Sequence, residues 1–510
     1  MEAERDFGPR GPQAPQRAAA KLRHPGEAAA TTDAVVIGGG PAGYTAAIAL
    51  AQGGAAVRLI EAGGLGGTCV HRGCIPTKAL LESARRAREL AGAADFGLRL
   101  PGAAEVDWAA VRRRQDRVVA GLAGGLGQLL RGSGVAVLGA RARLVPPASA
   151  GAAPGVLLLD AAGGEGDVLR PDAVVLAPGS RPARPALPGA DLPGVSLSDD
   201  LLAAALRPRR LVVIGGGAVG CEFASAHADL GAEVAVLEAL PHLLPPADAD
   251  VARRLEAAFR RRGIRVATGV AVRALERAAA GLIVRAREAS GAALDLPADA
   301  VLLATGRRPA TEGMGLEEAG IALAPGGAIP VDAHQRVPGV AGVWAVGDAT
   351  GPPMLAHAGM AAALAAAADM LGRPAPPRGP VPHPVYTHPE VAWVGASEAT
   401  PGASAARVPF GALGRAHAAG DTEGLCKVVA DAAGRIIGVH IFGASATELI
   451  AAGVLAVSHG LRLEQVAEAT WPHPTLSEGL GEAAALLLGR PHHVLRAARR
   501  PGPGGEGAAP

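Results

Sequence analysis

The chain has 510 residues, with 49 basic against 47 acidic side chains and a formal net charge of +2. That balance gives no electrostatic reason to expect nucleic acid or a membrane surface as the main partner. The length exceeds what one core organises, so roughly two to four domains are expected. Only four cysteines occur, Cys69, Cys74, Cys221 and Cys426, which excludes a disulfide-stapled secreted scaffold and suits a cytoplasmic chain with one redox pair.

Residues 1–30 are rich in Ala, Arg, Pro and Gly and contain no apolar h-region. Four prolines (Pro9, Pro12, Pro15, Pro25) and acidic Glu2, Glu4 and Asp6 weaken a transit-peptide reading, so a disordered tail is expected there. The first ordered pattern is the apolar strand and glycine turn Ala34-Val-Val-Ile-Gly-Gly-Gly-Pro-Ala-Gly43. An Ala-rich helix follows, then a second strand ending in Glu61. Leu211-Val-Val-Ile-Gly-Gly-Gly-Ala-Val-Gly220, a helix, and Glu233-Val-Ala-Val-Leu-Glu238 repeat the same grammar. One G-x-G-x-x-G alone is weak evidence; set between strand and helix, with an acid at matched spacing, it marks a dinucleotide site. Gly43 to Glu61 and Gly220 to Glu238 are both 18 steps.

The chemistry is common to both copies. Gly38 and Gly215 make the tight turn, Gly40 and Gly217 let backbone approach a pyrophosphate, and Gly43 and Gly220 let helix and strand pack closely. Each helix then presents its positive dipole end to the phosphates. Glu61 and Glu238 accept ribose hydroxyls, and a carboxylate at Glu238 repels a 2′-phosphate, which favours NAD over NADP.

Between the two units lies Gly66-Gly-Thr-Cys-Val-His-Arg-Gly-Cys-Ile-Pro-Thr-Lys78. The Cys69–Cys74 spacing is not that of a zinc site, and no second ligand pair accompanies it. A helix N-terminus beside such a pair would favour thiolate. Placed just after Glu61, the pair is expected beside the first dinucleotide. Cys221 and Cys426 are read as plain packing.

Asp172-Ala-Val-Val-Leu-Ala-Pro-Gly-Ser-Arg-Pro182 is echoed by Asp299-Ala-Val-Leu-Leu-Ala-Thr-Gly-Arg-Arg-Pro309. These segments bracket the second unit and read as crossings between an outer domain and an inserted one. Gly342-Val-Trp-Ala-Val-Gly-Asp348 completes the outer domain, the apolar stretch Met360–Leu371 is too short to span a bilayer, and the proline-rich segment 374–384 reads as a linker. Mixed strands and helices follow. Near the end, His473-Pro-Thr-Leu-Ser-Glu478 offers an imidazole and a carboxylate that can orient it; taken alone, such a pair is usually a solvated surface feature.

Taken together, residues 33–490 resemble the pyridine nucleotide–disulfide oxidoreductases, the family that includes dihydrolipoyl dehydrogenases, glutathione reductases and mercuric reductases. The resemblance implies an α/β fold of two Rossmann-like dinucleotide-binding domains, for FAD and NAD, plus an α+β C-terminal dimerisation domain. The expected division is a tail over 1–30, an FAD-binding domain over 31–182, an NAD-binding domain over 183–300, a return to the FAD domain over 301–375, an interface domain over 376–492 and a second tail over 493–510. It also implies a homodimer in which His473, held by Glu478, acts at the partner's redox disulfide. Lys78 and Glu222 would lie near the reactive edge of the flavin, Asp348 on its ribityl chain and Met354, Ala356 and His357 along its edge. Thr68, Ala142 and Gly179 complete the implied FAD set, and Glu222, Val270 and Gly306 the NAD set. Trp471, where many relatives carry a second His, and Pro178, where Thr is usual, depart from the family pattern.

Within the family, Ile75-Pro-Thr-Lys78 and His473-Pro-Thr-Leu-Ser-Glu478 are most similar to dihydrolipoyl dehydrogenases. That implies oxidation of dihydrolipoyl groups with NAD⁺, on a lipoyl-bearing protein of a 2-oxo acid dehydrogenase complex or on a small dithiol. Two readings stay open beside it: a reductase of another low-molecular-weight disulfide, and a non-catalytic flavin-binding subunit.

Overall fold

The computed structural model describes residues 32–495. The expected N-terminal tail and residues 496–510 of the C-terminal one lie outside them. The architecture is α/β, with two Rossmann-like units and an α+β C-terminal region.

Asp33–Ile37 is the central strand of the first five-stranded sheet, paired in parallel with Ala56–Ile60 and Ala173–Leu176. Ala136–Leu138 and Val343–Ala345 form the outer strands. Every residue of Ala173–Leu176 is buried, which is why this strand reads as an unbroken apolar run: helices cover both faces of a parallel sheet. The helix Pro41–Gln52 starts with Pro at its first turn, where the missing N–H is not needed, and buries Ala42, Ala46, Ala47 and Leu50. Its small side chains let the Ala-rich helix Ala356–Met370 approach closely; a Cβ on Gly359 would stand 3.3 Å from that of Ala42.

Arg210–Ile214 occupies the equivalent centre of the second sheet. Glu233–Leu237 and Arg265–Ala267 lie on one side, Ala300–Leu303 and Val195–Ser196 on the other. The echoing segments thus contribute equivalent strands to the two sheets. Directly after those strands, Ser180–Pro182 and Arg307–Pro309 pair antiparallel with each other, so the two crossings run side by side. Two three-stranded antiparallel sheets, around Gly155–Leu159 and Gly281–Arg287, complete the units. In the last strand of the second, Ala293–Ala298, exposed and buried residues alternate strictly, as expected of a sheet with one wet face.

The C-terminal region is a five-stranded antiparallel sheet in the order His383–Val385, Glu390–Gly395, Ile436–Gly443, Leu425–Ala430, Ser404–Pro409. Helices Ala446–Ser458 and Glu478–Leu487 pack on it. A fully buried strand here carries a charge: Lys427 is 1 % exposed. Its Nζ donates to Asp248 and Asp250, each at 2.9 Å, at the start of the helix Ala249–Arg261. A buried ammonium is tolerable only when paired, so this cluster ties the C-terminal sheet to the second nucleotide unit.

Candidate active site

The two glycine turns are near-copies in space. A Cβ on Gly38 would meet Ala177 O at 2.1 Å, and one on Gly215 would meet Ala304 O at 2.3 Å; both residues have positive φ. A Cβ on Gly43 would strike Gly38 O at 1.8 Å, and one on Gly220 would strike Gly215 O at 1.9 Å. At Gly40 and Gly217 a Cβ would meet nothing within 4 Å. Each turn therefore leaves open space directly before a helix N-terminus, the shape and polarity a pyrophosphate needs. The residues fit FAD at the first turn and NAD at the second.

Glu61 and Glu238 are pinned in the same way. Glu61 accepts the N–H groups of Gly39 (2.6 Å) and Gly63 (2.5 Å), and Glu238 those of Gly216 (2.6 Å) and Leu240 (2.8 Å). An ionised carboxylate offers about four lone-pair sites, so each keeps capacity for ribose hydroxyls while bracing its own turn. Bracing of the turn was not visible in the sequence pattern.

The redox segment docks on the first turn. Gly66 N–H donates to Gly39 O at 2.8 Å, and a Cβ on Gly67 would come within 2.8 Å of Gly40 Cα. Gly66 and Gly67 both have positive φ, a conformation that glycine adopts at little cost. Cys69 sits in the short helix Gly67–Arg72; Cys74 begins the long helix Cys74–Ala91. Both thiols are free and lie close enough for one to hydrogen-bond the other. That bond lowers the Cys74 thiol to about 7, against burial, with help from the Lys78 cation and the backbone N–H at the helix start. Cys69 moves the opposite way, held up by its bond to Cys74 and by burial. The surroundings thus favour ionisation at Cys74 over Cys69.

Lys78 stands one helical turn after Cys74. Its Nζ donates to both oxygens of Glu222, at 2.9 and 2.8 Å, and Glu222 is only 5 % exposed. Although burial works against the charge, the Glu222 carboxylate keeps Lys78 above its usual range. A cavity of about 320 Å³ joins these groups: Cys69, Cys74, Thr68, Lys78 and Glu222 line it together with Gly38, Gly40 and Glu61. Gly179, Asp348, Met354 and Ala356 complete the expected residues in that wall.

Not every expected residue joins them. Ala142 packs in the core of the first unit on the strand Arg141–Val145, and His357 makes a 2.7 Å contact with Pro382 O. Val270 is buried in the second unit and donates its N–H to Glu238 O. Gly306 holds a positive φ between the strand Ala300–Leu303 and the crossing Arg307–Pro309. Conversely, Ser180 and Arg307 line the cavity without having been singled out. Ser180 Oγ donates to Asp348, and Arg307 donates to Ser180 Oγ (2.7 Å) and O (2.9 Å). The matching Gly-Ser-Arg-Pro and Gly-Arg-Arg-Pro endings were the signal that these residues converge. Trp471 packs its indole over Gly481 and donates to Val466 O at 3.0 Å.

His473 Nδ1 lies 2.9 Å from Glu478 Oε1, and Glu478 Oε2 accepts Thr475 N–H at 2.8 Å. Partial burial opposes ionisation of Glu478, but the Thr475 N–H and His473 hold its carboxyl below the usual range. The imidazole is 72 % exposed, and neither residue lines the cavity that holds the thiols. Within one chain the His473–Glu478 pair and the two thiols are separate. Cys221 and Cys426 are buried; burial pushes Cys426 up to about 12 and Cys221 higher still.

Residues 32–363 match the family model for pyridine nucleotide-disulphide oxidoreductases, and residues 381–484 match the model for that family's dimerisation domain. A dihydrolipoyl dehydrogenase of Thermus scotoductus is 39% identical over 91% of this chain and 99% of its own. One from Bacillus subtilis is 35% identical over 90% and 99%. Among solved structures, LpdA from Mycobacterium tuberculosis aligns with a TM-score of 0.81 at 28% identity, over 89% of this chain and 99% of that one. The HOCl-induced flavoprotein disulfide reductase RclA from Escherichia coli aligns at 0.77, with 28% identity over 89% and 100%.

Proposed function

Because the chain belongs to the pyridine nucleotide-disulphide oxidoreductase family, we propose that it oxidises dihydrolipoyl groups to the lipoyl disulfide with NAD⁺ as acceptor, as dihydrolipoyl dehydrogenases do. The observation that carries this reading is the Cys69–Cys74 pair, seated on the first glycine turn and facing the Lys78–Glu222 ion pair in one cavity. The family's enzymes bind FAD and a pyridine nucleotide; FAD supplies the two-electron carrier between dithiol and nicotinamide when bound.

The protein's own residues then have distinct tasks. His473 of the partner subunit, oriented by a carboxylate, takes a proton from the substrate dithiol. The resulting thiolate attacks Cys69 Sγ; the Cys69–Cys74 bond breaks, and Cys74 leaves as a thiolate. A lowered thiol pKa at Cys74 makes it the better leaving group. The second substrate sulfur attacks the substrate sulfur of the mixed disulfide and closes the lipoyl ring; the S–S bond to Cys69 breaks, and Cys69 leaves as a thiol carrying the proton that the second sulfur gives up. Lys78 stabilises negative charge where the reducing electrons collect. Glu238 selects a nucleotide without a 2′-phosphate.

We assign 31–182 and 301–375 to the FAD-binding domain, 183–300 to the NAD-binding domain and 376–492 to the interface. The substrate proposed is a lipoyl group on a carrier protein, in the cytoplasm. No described helix is long and apolar enough to cross a membrane. The test is steady-state turnover of dihydrolipoamide with NAD⁺, set against glutathione and mycothiol disulfides with NADH and NADPH. Inactivity with lipoamide but turnover of another disulfide would replace this reading with the reductase one.

A further inference from the structure

Three separate parts of the chain meet at one ion pair. Lys78 comes from the redox helix Cys74–Ala91 and Glu222 from the helix Ala218–Asp229 of the second nucleotide unit. Tyr386 follows the strand His383–Val385 of the C-terminal sheet. The Lys78 ammonium lies 4.3 Å from the centre of the Tyr386 ring. The backbone N–H of Tyr386 donates to Glu222 Oε1 at 3.0 Å. One residue therefore contacts the cation through its ring face and the anion through its main chain.

We propose that Tyr386 is a positioning residue that holds the Lys78–Glu222 pair in register with the redox cysteines, so that the C-terminal domain sets the charge felt at Cys74. This rests on the reading of Cys69–Cys74 as the redox couple. Lysine is a point charge on a flexible stem. An aromatic face fixes such a charge without neutralising it. Cys74 is faced by Cys69, Lys78 and Glu222, and Lys78 by Glu222, Cys74 and Tyr386. Around Tyr386 stand Lys78, Glu222, Glu390 and Glu448, and burial first of all holds its phenol above the usual value, hence neutral. With the ring gone, Lys78 is held by Glu222 alone, so its ammonium samples positions farther from Cys74 and favours the thiolate less.

The test is a pH titration of ultraviolet thiolate absorbance in the two-electron-reduced holoenzyme, with Cys74→Ser as background. Tyr386→Leu is expected to raise the Cys74 midpoint by roughly half a pH unit, about threefold less thiolate below it. Tyr386→Phe, which keeps the ring, is expected to retain the wild-type midpoint. In a Lys78→Met background the Leu replacement is expected to move nothing further. An unchanged midpoint in Tyr386→Leu, an equal shift in Tyr386→Phe, or an undiminished shift without Lys78 each overturns the proposal. A wild-type Cys74 that titrates like an ordinary thiol sinks the redox-couple reading itself and takes this inference with it.

Discussion

Gly217 and Gly220 lie three residues apart, yet adding one methyl group to each should break different things. At Gly220 a Cβ would stand 1.9 Å from Gly215 O, far inside van der Waals contact, and the obstacle is backbone. Helix Ala218–Asp229 and strand Arg210–Ile214 would have to part by more than an ångström, an overpacking cost of about 1–3 kcal/mol. Gly217 has φ −73 and nothing within 4 Å of its Cβ, so alanine there is free of strain. Its methyl, however, fills the space a pyrophosphate approaches. Losing one charge-assisted hydrogen bond costs about 1.5–3 kcal/mol, or roughly a ten- to hundredfold rise in KM for NAD⁺. Gly220→Ala should therefore lower both Tm and NAD⁺ affinity; Gly217→Ala should keep Tm and lose affinity alone. Thermal unfolding and NAD⁺ saturation curves on enzyme of equal FAD content measure the split. A Gly217→Ala protein that unfolds early, or a Gly220→Ala protein with the wild-type Tm, refutes the assignment of separate roles to the two glycines.

Replacing Cys74 by serine should abolish dihydrolipoamide turnover, by at least about a thousandfold, while NADH oxidation by artificial electron acceptors persists; retained lipoamide turnover would remove the thiol pair from the mechanism. His473→Gln should lower kcat by about a hundred- to ten-thousandfold without altering FAD content or dimer mass, checked by stopped-flow assay and light scattering. Lys427→Met leaves the Asp248 carboxylate buried without its cation and should destabilise the protein by about 3–5 kcal/mol, with Asp248→Leu in the same chain restoring most of that in urea unfolding. Partial burial opposes ionisation of Asp250, but hydrogen bonds from Lys427 and Arg407 hold it well below the usual carboxylate range. Its contribution is complete above the unfolded value near pH ~4 and is lost as pH falls through the folded one. Stability of the wild type should therefore drop more steeply on acidification than that of Lys427→Met, measured as unfolding midpoint against pH.

Local pattern determined much of this protein. Both glycine turns, their terminal glutamates, the Cys69–Cys74 pair and the echoing segments at 172–182 and 299–309 are legible because their patterns are local: Gly43 and Gly220 are needed where a Cβ would strike the carbonyl of the glycine five residues earlier, and a parallel strand needs an unbroken apolar run. Tertiary structure alone decided the rest. That Ser180, Arg307 and Asp348 form one chain of hydrogen bonds, that Lys427 lies buried against Asp248 across a domain boundary, and that Tyr386 reaches Lys78 and Glu222 at once are contacts between residues more than a hundred positions apart. Such contacts leave no periodicity in the chain; they arise only when separately folded units pack, and the cost of burying a charge or a donor then selects which distant partner must be there to meet it.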